Sequence, residues 1–162
     1  MADKPVPGTF CWNELMTKDA GAAKTFYAAL FGWKMSDMDM GPGGTYTVLK
    51  RGDKDVGGLM QIRPDMGPLP SHWLAYVDVP NVDAATKKAG ELGARVHVPG
   101  MDIPGMGRFG VFEDPTGATL AVFQRAPAAA QPAKRAKAAK AARNTKPAKR
   151  AKAKAASKSR RK

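Results

Sequence analysis

The stretch Cys11 to Asp19 reads CWNELMTKD and, with Phe10 before it, sets the carboxylate of Glu14 among bulky apolar residues. With a strand's period of two, Phe10, Trp12, Glu14 and Met16 share one face. Cys11, Asn13 and Leu15 share the other. An unpaired carboxylate in such company is costly, so Glu14 calls for a partner, a ligand or water. The chemistry open to it is metal ligation, general-base catalysis or anchoring of a polar ligand. A purely structural partner would be a backbone amide, Arg108 or a lysine. The other reactive side chains offer less. His72 stands at a strand start beside a proline loop and reads as a rim residue. His97, in VHVPG, is further from a catalytic role. Cys11 reads as a small buried filler with nothing nearby to stabilise a thiolate. The glycine-rich stretches MGPGG and DVGG do not stand at a strand-to-helix turn, so they do not match a phosphate-binding loop.

Charge divides the 162-residue chain in two. Its net charge of +13 comes from 27 basic and 14 acidic residues. Residues 126–162 hold 14 of the basic residues and none of the acidic ones, which leaves 13 basic and 14 acidic residues before them. The front of the chain is near neutral, and it holds every Trp, Tyr and Phe. A tail of Lys, Arg, Ala and Pro without large apolar side chains cannot bury enough surface to fold alone. Its chemistry is sequence-independent attraction to phosphates. The residues that would supply it are Lys134, Arg135, Lys137, Lys140, Arg143, Lys146, Lys149, Arg150, Lys152, Lys154, Lys158, Arg160, Arg161 and Lys162. The one cysteine excludes an intrachain disulfide, and the N-terminal MADKPVPGTF has no apolar signal core. The expected setting is cytoplasmic and nucleoid-associated, with no membrane partner.

Two helices with apolar stripes must position the front half's side chains. One follows the N-cap Asp19, with Ala23, Phe26, Tyr27, Leu30 and Phe31 as its stripe and Gly32 as its stop. The other follows Asn81, with Val82, Ala85, Ala89 and Leu92 as its stripe and Gly93 as its stop. One strand precedes each helix, and three short extended stretches follow it. Turn signals stand at Arg51-Gly52-Asp53-Lys54 and Asp114-Pro115-Thr116-Gly117. The chain thus reads βαβββ twice, with RPDMGPLPS as the joint. The expected domains are an arm over 1–7, a folded unit over 8–124 with modules of about 8–62 and 71–124, and a disordered tail over 125–162.

The stretches KDAGAAKTFYAALFGW, HWLAYVDVPNVDAATKKAGELGA and PGMDIPGMGRFGVFEDPTGATLAVFQ resemble the vicinal-oxygen-chelate superfamily. This is the glyoxalase, bleomycin-resistance and extradiol-dioxygenase group, and the likeness is strongest to its glyoxalase-like hydroxylase branch. The tail is similar to linker-histone tails. The resemblance implies an α+β fold of two paired βαβββ modules, forming a U-shaped sheet around a cleft. It also implies that single-domain members dimerise. Metal-dependent members place ligands on the first and last strands of each module. Those positions fall here on Trp12, Leu74, Ala121 and either Gly58 or Met60, none of which ligates a divalent metal in the family's manner.

The sequence therefore leads to the following expectations. The cleft binds a small organic molecule without metal or cofactor, through Trp12, Glu14, Met60, Leu74, Tyr76 and Ala121. The tail binds nucleic acid nonspecifically, and the chain is a homodimer. One alternative is a lyase, isomerase or hydroxylase using Glu14 as its base. Another is a chromatin-associated structural dimer.

Overall fold

The computed structural model describes residues 6–127. The expected nucleic-acid contacts, from Lys134 to Lys162, lie outside the described residues. The elements run β1 (Phe10–Thr17), α1 (Ala20–Phe31), β2 (Lys34–Asp39), β3 (Thr45–Arg51), β4 (Lys54–Gln61), β5 (His72–Asp78), α2 (Val82–Glu91), β6 (Arg95–Ile103), β7 (Gly107–Glu113) and β8 (Thr119–Arg125). All eight strands form one mixed sheet in the order β2-β3-β4-β1-β5-β8-β7-β6. Within each module the first and last strands are parallel neighbours, β1 with β4 and β5 with β8. The modules join where β1 lies antiparallel to β5. The expected pair of βαβββ units is thus a single α+β sheet with an internal pseudo-two-fold axis across the β1–β5 ladder. β8 extends to Arg125, whose guanidinium holds the buried Asp78 carboxylate at 3.1 Å.

The local signals act where the sequence places them. Asp19 and Asn81 cap their helices by accepting from the backbone N–H of Ala22 (2.9 Å) and Ala84 (2.8 Å). A second device repeats in both modules. Gln61, at the end of β4, accepts from the Ala20 N–H at 2.8 Å, and Gln124, near the end of β8, accepts from the Val82 N–H at 3.0 Å. Each glutamine satisfies a first-turn donor that the helix cannot and ties the helix start to its module's last strand. Gln61→Ala is expected to lower the unfolding free energy by ~1 kcal/mol, as for a lost helix cap. Gln61→Glu keeps the acceptor but sets a carboxylate oxygen against the Lys18 carbonyl oxygen, to which Gln61 Nε2 donates, so it should not recover this stability. Urea denaturation of both variants measures the difference.

The sheet has two unlike faces. On one, Leu15, Leu49 and Leu59 are buried under α1, with Ala20, Ala23, Tyr27, Trp33, Met35 and Val56 packed around them. The expected α1 stripe is only partly core. Ala23 and Tyr27 face the sheet, whereas Phe26, Leu30 and Phe31 are exposed. The apolar residues of this helix extend round more of its circumference than one sheet can cover. In α2, Val82 is fully buried while Leu92, just past the helix end, is exposed.

The opposite face carries no helix, yet Leu74, Tyr76 and Ala121 are buried there among Trp12, Met16, Phe109, Val111 and Phe123. Burial without a covering layer requires the sheet to curl, so that neighbouring strands' side chains screen one another. Among the described residues, no helix is long and apolar enough to cross a membrane.

Candidate functional site

The curled, helix-free face is built from the inward positions of β1, β3, β4, β5 and β8. Ladder register fixes its floor. Trp12 faces Tyr76 and Glu14 faces Leu74 across the β1–β5 ladder. Glu14 lies beside Gly58 and Met16 beside Met60 on β4, and Ala121 lies beside Tyr76 on β8. The six residues expected to line the site, Trp12, Glu14, Met60, Leu74, Tyr76 and Ala121, therefore share one face. The pseudo-two-fold pairs Trp12 with Leu74, Glu14 with Tyr76, and Gly58 with Ala121. Glu14 and its symmetry mate Tyr76 thus meet at the axis.

Glu14 is 7% exposed, and its partners are hydroxyls rather than the expected Arg108, lysine or backbone amide. Tyr76 Oη donates to Glu14 Oε1 at 3.2 Å. The Tyr46 hydroxyl faces the same carboxylate and accepts from Trp12 Nε1 at 2.9 Å. Arg108 is held elsewhere, between Asp83 and Asp102, each at 2.9 Å. Burial pushes the Glu14 carboxyl above its usual range, against the opposing pull of Tyr46, Tyr76 and the nearby His72. The same burial, with Glu14 beside them, lifts both tyrosine hydroxyls well above the ordinary phenol value. They act here as proton-holding donors, not as bases. No buried side-chain nitrogen or oxygen lacks a hydrogen bond among the described residues.

Tyr46 was not among the expected site residues. Its signal was a large aromatic one strand away from a glycine. A Cβ on Gly58 would lie 1.8 Å from Tyr46 Oη, so the phenol occupies the space above Gly58 and reaches over it toward Trp12 and Glu14.

The start of β1 departs from simple alternation. Phe10 pairs with Val77 and Trp12 with Tyr76, which leaves Cys11 in a bulge. Cys11 therefore turns onto the helix-free face and packs against the cluster of Leu74, Tyr76 and Ala121. Phe10 leaves that face and is 71% exposed. Burial and the neighbouring Asp78 push the Cys11 thiol up, which makes it a poor nucleophile. Met35 packs in the core under α1.

The family's metal positions can now be tested against the residues that fill them. Between Gly58 and Met60, it is Gly58 that is the symmetry mate of Ala121, so the four positions hold Trp12, Gly58, Leu74 and Ala121. An indole N–H is only a donor, and the other three side chains carry no ligating atom. Glu14 is one strand step away, surrounded by phenols, and His72 Nδ1 is 2.7 Å from the Pro70 carbonyl oxygen. Among the described residues, no three His, Cys, Asp or Glu side chains are grouped as a metal site would need. This residue set does not fit a divalent metal. The described surface also has two shallow hollows off this face. One, of about 380 Å³, is lined by Asp83, Thr86 and Val96, and one of about 320 Å³ by Ile103, Arg108 and Gln124.

The sequence profile of the Glyoxalase/Bleomycin resistance protein/Dioxygenase superfamily matches residues 10–122. The chain belongs to this superfamily. Among curated relatives, it is 43% identical over 120 residues to "Putative glyoxylase CFP32" of Mycobacterium tuberculosis, a match covering 74% of this chain and 45% of that protein. It is 34% identical over 132 residues to "Anthracycline biosynthesis protein DnrV" of Streptomyces peucetius, covering 74% and 48%. The chain thus spans about half the length of the curated relatives it matches. Among solved structures, the methylmalonyl-CoA epimerase of M. tuberculosis superposes with a TM-score of 0.55 at 14% identity, covering 78% of this chain and 94% of the other. A substrate complex of homoprotocatechuate 2,3-dioxygenase from Brevibacterium fuscum gives a TM-score of 0.52 at 22% identity, covering 75% and 38%. These superpositions show the superfamily's fold.

Proposed function

We propose that the helix-free face binds a small organic molecule without a metal, with Glu14 as the polar anchor of an otherwise apolar wall. The observation that carries this reading is the exchange at the superfamily's ligand positions. Trp12, Gly58, Leu74 and Ala121 offer no metal donors, while a carboxylate hydrogen-bonded to phenol hydroxyls stands at the axis beside them. An apolar, aromatic surface with a few converging polar groups is the usual make-up of a small-molecule site. The relatives named for glyoxylase and anthracycline biosynthesis suit a small organic ligand. The glyoxalase-like hydroxylase branch remains the expected subgroup.

In this reading the linker-histone-like tail tethers the domain to nucleic acid and places it at the nucleoid. If ~8 tail charges meet phosphates, binding to duplex DNA should weaken with salt at a log–log slope of about −7.

A second reading is the structural dimer. It is favoured by the way Leu74, Tyr76 and Ala121 are covered by the face's own side chains.

Native mass spectrometry of the full chain, purified without chelators, tests the site. An organic adduct lost in Trp12→Ala and Glu14→Gln supports the binding module. A bound divalent metal overturns it, and a bare chain shifts the reading to the structural dimer. Gel retardation tests the tail. A chain ending at Pro127, which keeps β8 whole, should no longer retard DNA at low salt. Equal retardation of the two chains would remove the tail from the proposal.

A further inference from the structure

The two modules share a fold but present opposite exteriors. On α2 the outward side chains include Lys87, Lys88 and Glu91. This helix shows that the fold does not require an apolar outer surface. On α1, Phe26 is 57% exposed, Leu30 56% and Phe31 46%, and no residue of the helix is buried. Trp73, 42% exposed, continues the surface from β5. The rings are in mutual contact. Tyr27 packs against Phe26, Phe31, Trp33 and Trp73 with centroids 5.0 to 6.0 Å apart, and Trp73 Nε1 donates to Tyr27 Oη at 3.1 Å. The patch is thus a held aromatic surface, not a set of isolated side chains.

Its chemistry selects the occupant. The one charged residue within α1, Lys24, is already paired with Asp37 at 2.7 Å. A nucleic acid or an acidic peptide would find no free cation on the helix. The chain's own tail has no large apolar side chain to fill the patch. A lipid surface favours helices whose polar face is rich in Lys and Arg, whereas α1 itself carries only Lys24. A second α1 meets every requirement, because an uncharged apolar face laid on its own copy across a two-fold axis brings no like charges together. The small residues Gly21, Ala22, Thr25 and Ala29 are also exposed, and they allow close approach of helix backbones at ~8–10 Å.

The area is adequate. Phe26, Leu30, Phe31 and Trp73, about half exposed at roughly 200 Å² each, offer ~400 Å² of apolar surface. That is near half of the ~800 Å² per partner of a standard interface, and the small residues and rim supply more.

We infer that two copies of this chain associate through the aromatic outer face of α1, with Phe26 and Leu30 at its centre. The inference does not depend on the ligand reading.

Sedimentation velocity of the full chain tests it, at ~0.5 M salt, where the Debye length is roughly 4 Å and tail charge is screened. A dimer is expected. The double substitution Phe26→Lys/Leu30→Lys should weaken it by roughly 30-fold or more, as for loss of a central apolar anchor. The milder Phe26→Ala should weaken it in the same direction. Leu92→Lys, at the comparably exposed position beside α2, should leave it unchanged. Far-ultraviolet circular dichroism of each variant separates lost association from lost folding. Three results would overturn the inference: a monomer at all concentrations, a dimer indifferent to the double substitution, or binding of the parent chain to phosphatidylcholine vesicles that Phe26→Ala abolishes.

Discussion

Gly58→Ala is expected to cost about 2–3 kcal/mol of stability and to dismantle the polar cluster at the centre of the helix-free face. The added methyl would sit 1.8 Å from Tyr46 Oη, 2.4 Å from its Cζ and 3.1 Å from Trp12 Nε1. Real carbon contacts do not approach so closely, so Tyr46 must swing away. The variant then loses the Trp12–Tyr46 hydrogen bond, one of the hydroxyls at Glu14 and part of the buried phenol ring. A hydrogen bond contributes about 1 kcal/mol and large aromatic burial about 1.5–3 kcal/mol, partly recovered as neighbours relax. The obstructing atoms belong to a side chain, which makes the test decisive. In a Tyr46→Ala background, Gly58→Ala should be nearly neutral, so a double-mutant cycle should return a coupling of at least ~1 kcal/mol. Gly57→Ala is the contrast. Its methyl would meet the Asn13 backbone carbonyl at 2.8 Å, and trimming Tyr46 cannot relieve that contact. Guanidinium denaturation followed by tryptophan fluorescence reads both effects, since Trp12 reports the cluster directly. Additive costs for Gly58→Ala and Tyr46→Ala would mean that Tyr46 does not lie over Gly58.

The same site marks the boundary of what alternation and spacing reveal. The repeated βαβββ order was legible because its punctuation is chemical. Asp19 and Asn81 cap helices, Gly32 and Gly93 take positive φ, and Asp114 gathers the turn N–H groups of Thr116 and Ala118. The shared face of Trp12, Glu14, Met60, Leu74, Tyr76 and Ala121 was legible because strand parity and register agree through the middle of the ladders. Parity failed at Phe10 and Cys11, where one extra residue in a bulge reverses the sides, and a single sequence carries no mark of that insertion. The α1 stripe was misread for another reason. Periodicity reports that a surface is apolar, not what covers it, and Phe26, Leu30 and Phe31 repeat at core spacing while facing outward. Glu14's partners were hidden because tyrosine pairs with carboxylate only when distant strands meet. Tyr46 and Tyr76 come from different modules, and nothing local in TYTVLK or HWLAYVD points to Glu14.

Glu14→Gln is expected to make the protein more stable at neutral and alkaline pH and to leave it little changed in acid. Burial penalises the charged carboxylate, so its pKa in the folded chain lies above the unfolded value. For an acid shifted upward, the folded state binds the proton more tightly. The resulting stability is fully present below the unfolded pKa and is lost as pH rises through the folded pKa. Each unit of such a shift is worth about 1.4 kcal/mol. Glutamine matches the protonated acid in shape. It accepts from Tyr76 through Oε1 and has no charge to desolvate, so it avoids this loss. Its advantage should grow from acid to neutral pH and then level off at about 1–3 kcal/mol, the range for a buried polar group with incomplete compensation. Tyr76→Phe provides the opposite test. It removes the 3.2 Å donor to Oε1 and leaves the ionised carboxylate less supported, so this variant should lose more stability than the parent over the same rise in pH. Thermal unfolding midpoints of the three proteins between mildly acidic and alkaline buffers give the comparison. Parallel curves for parent and Glu14→Gln would place the Glu14 proton in water, and with it the carboxylate outside the buried cluster. Divergence with the predicted sign would identify a carboxyl whose proton is held by the fold, available to a ligand that meets Glu14 beside Trp12 and Tyr76.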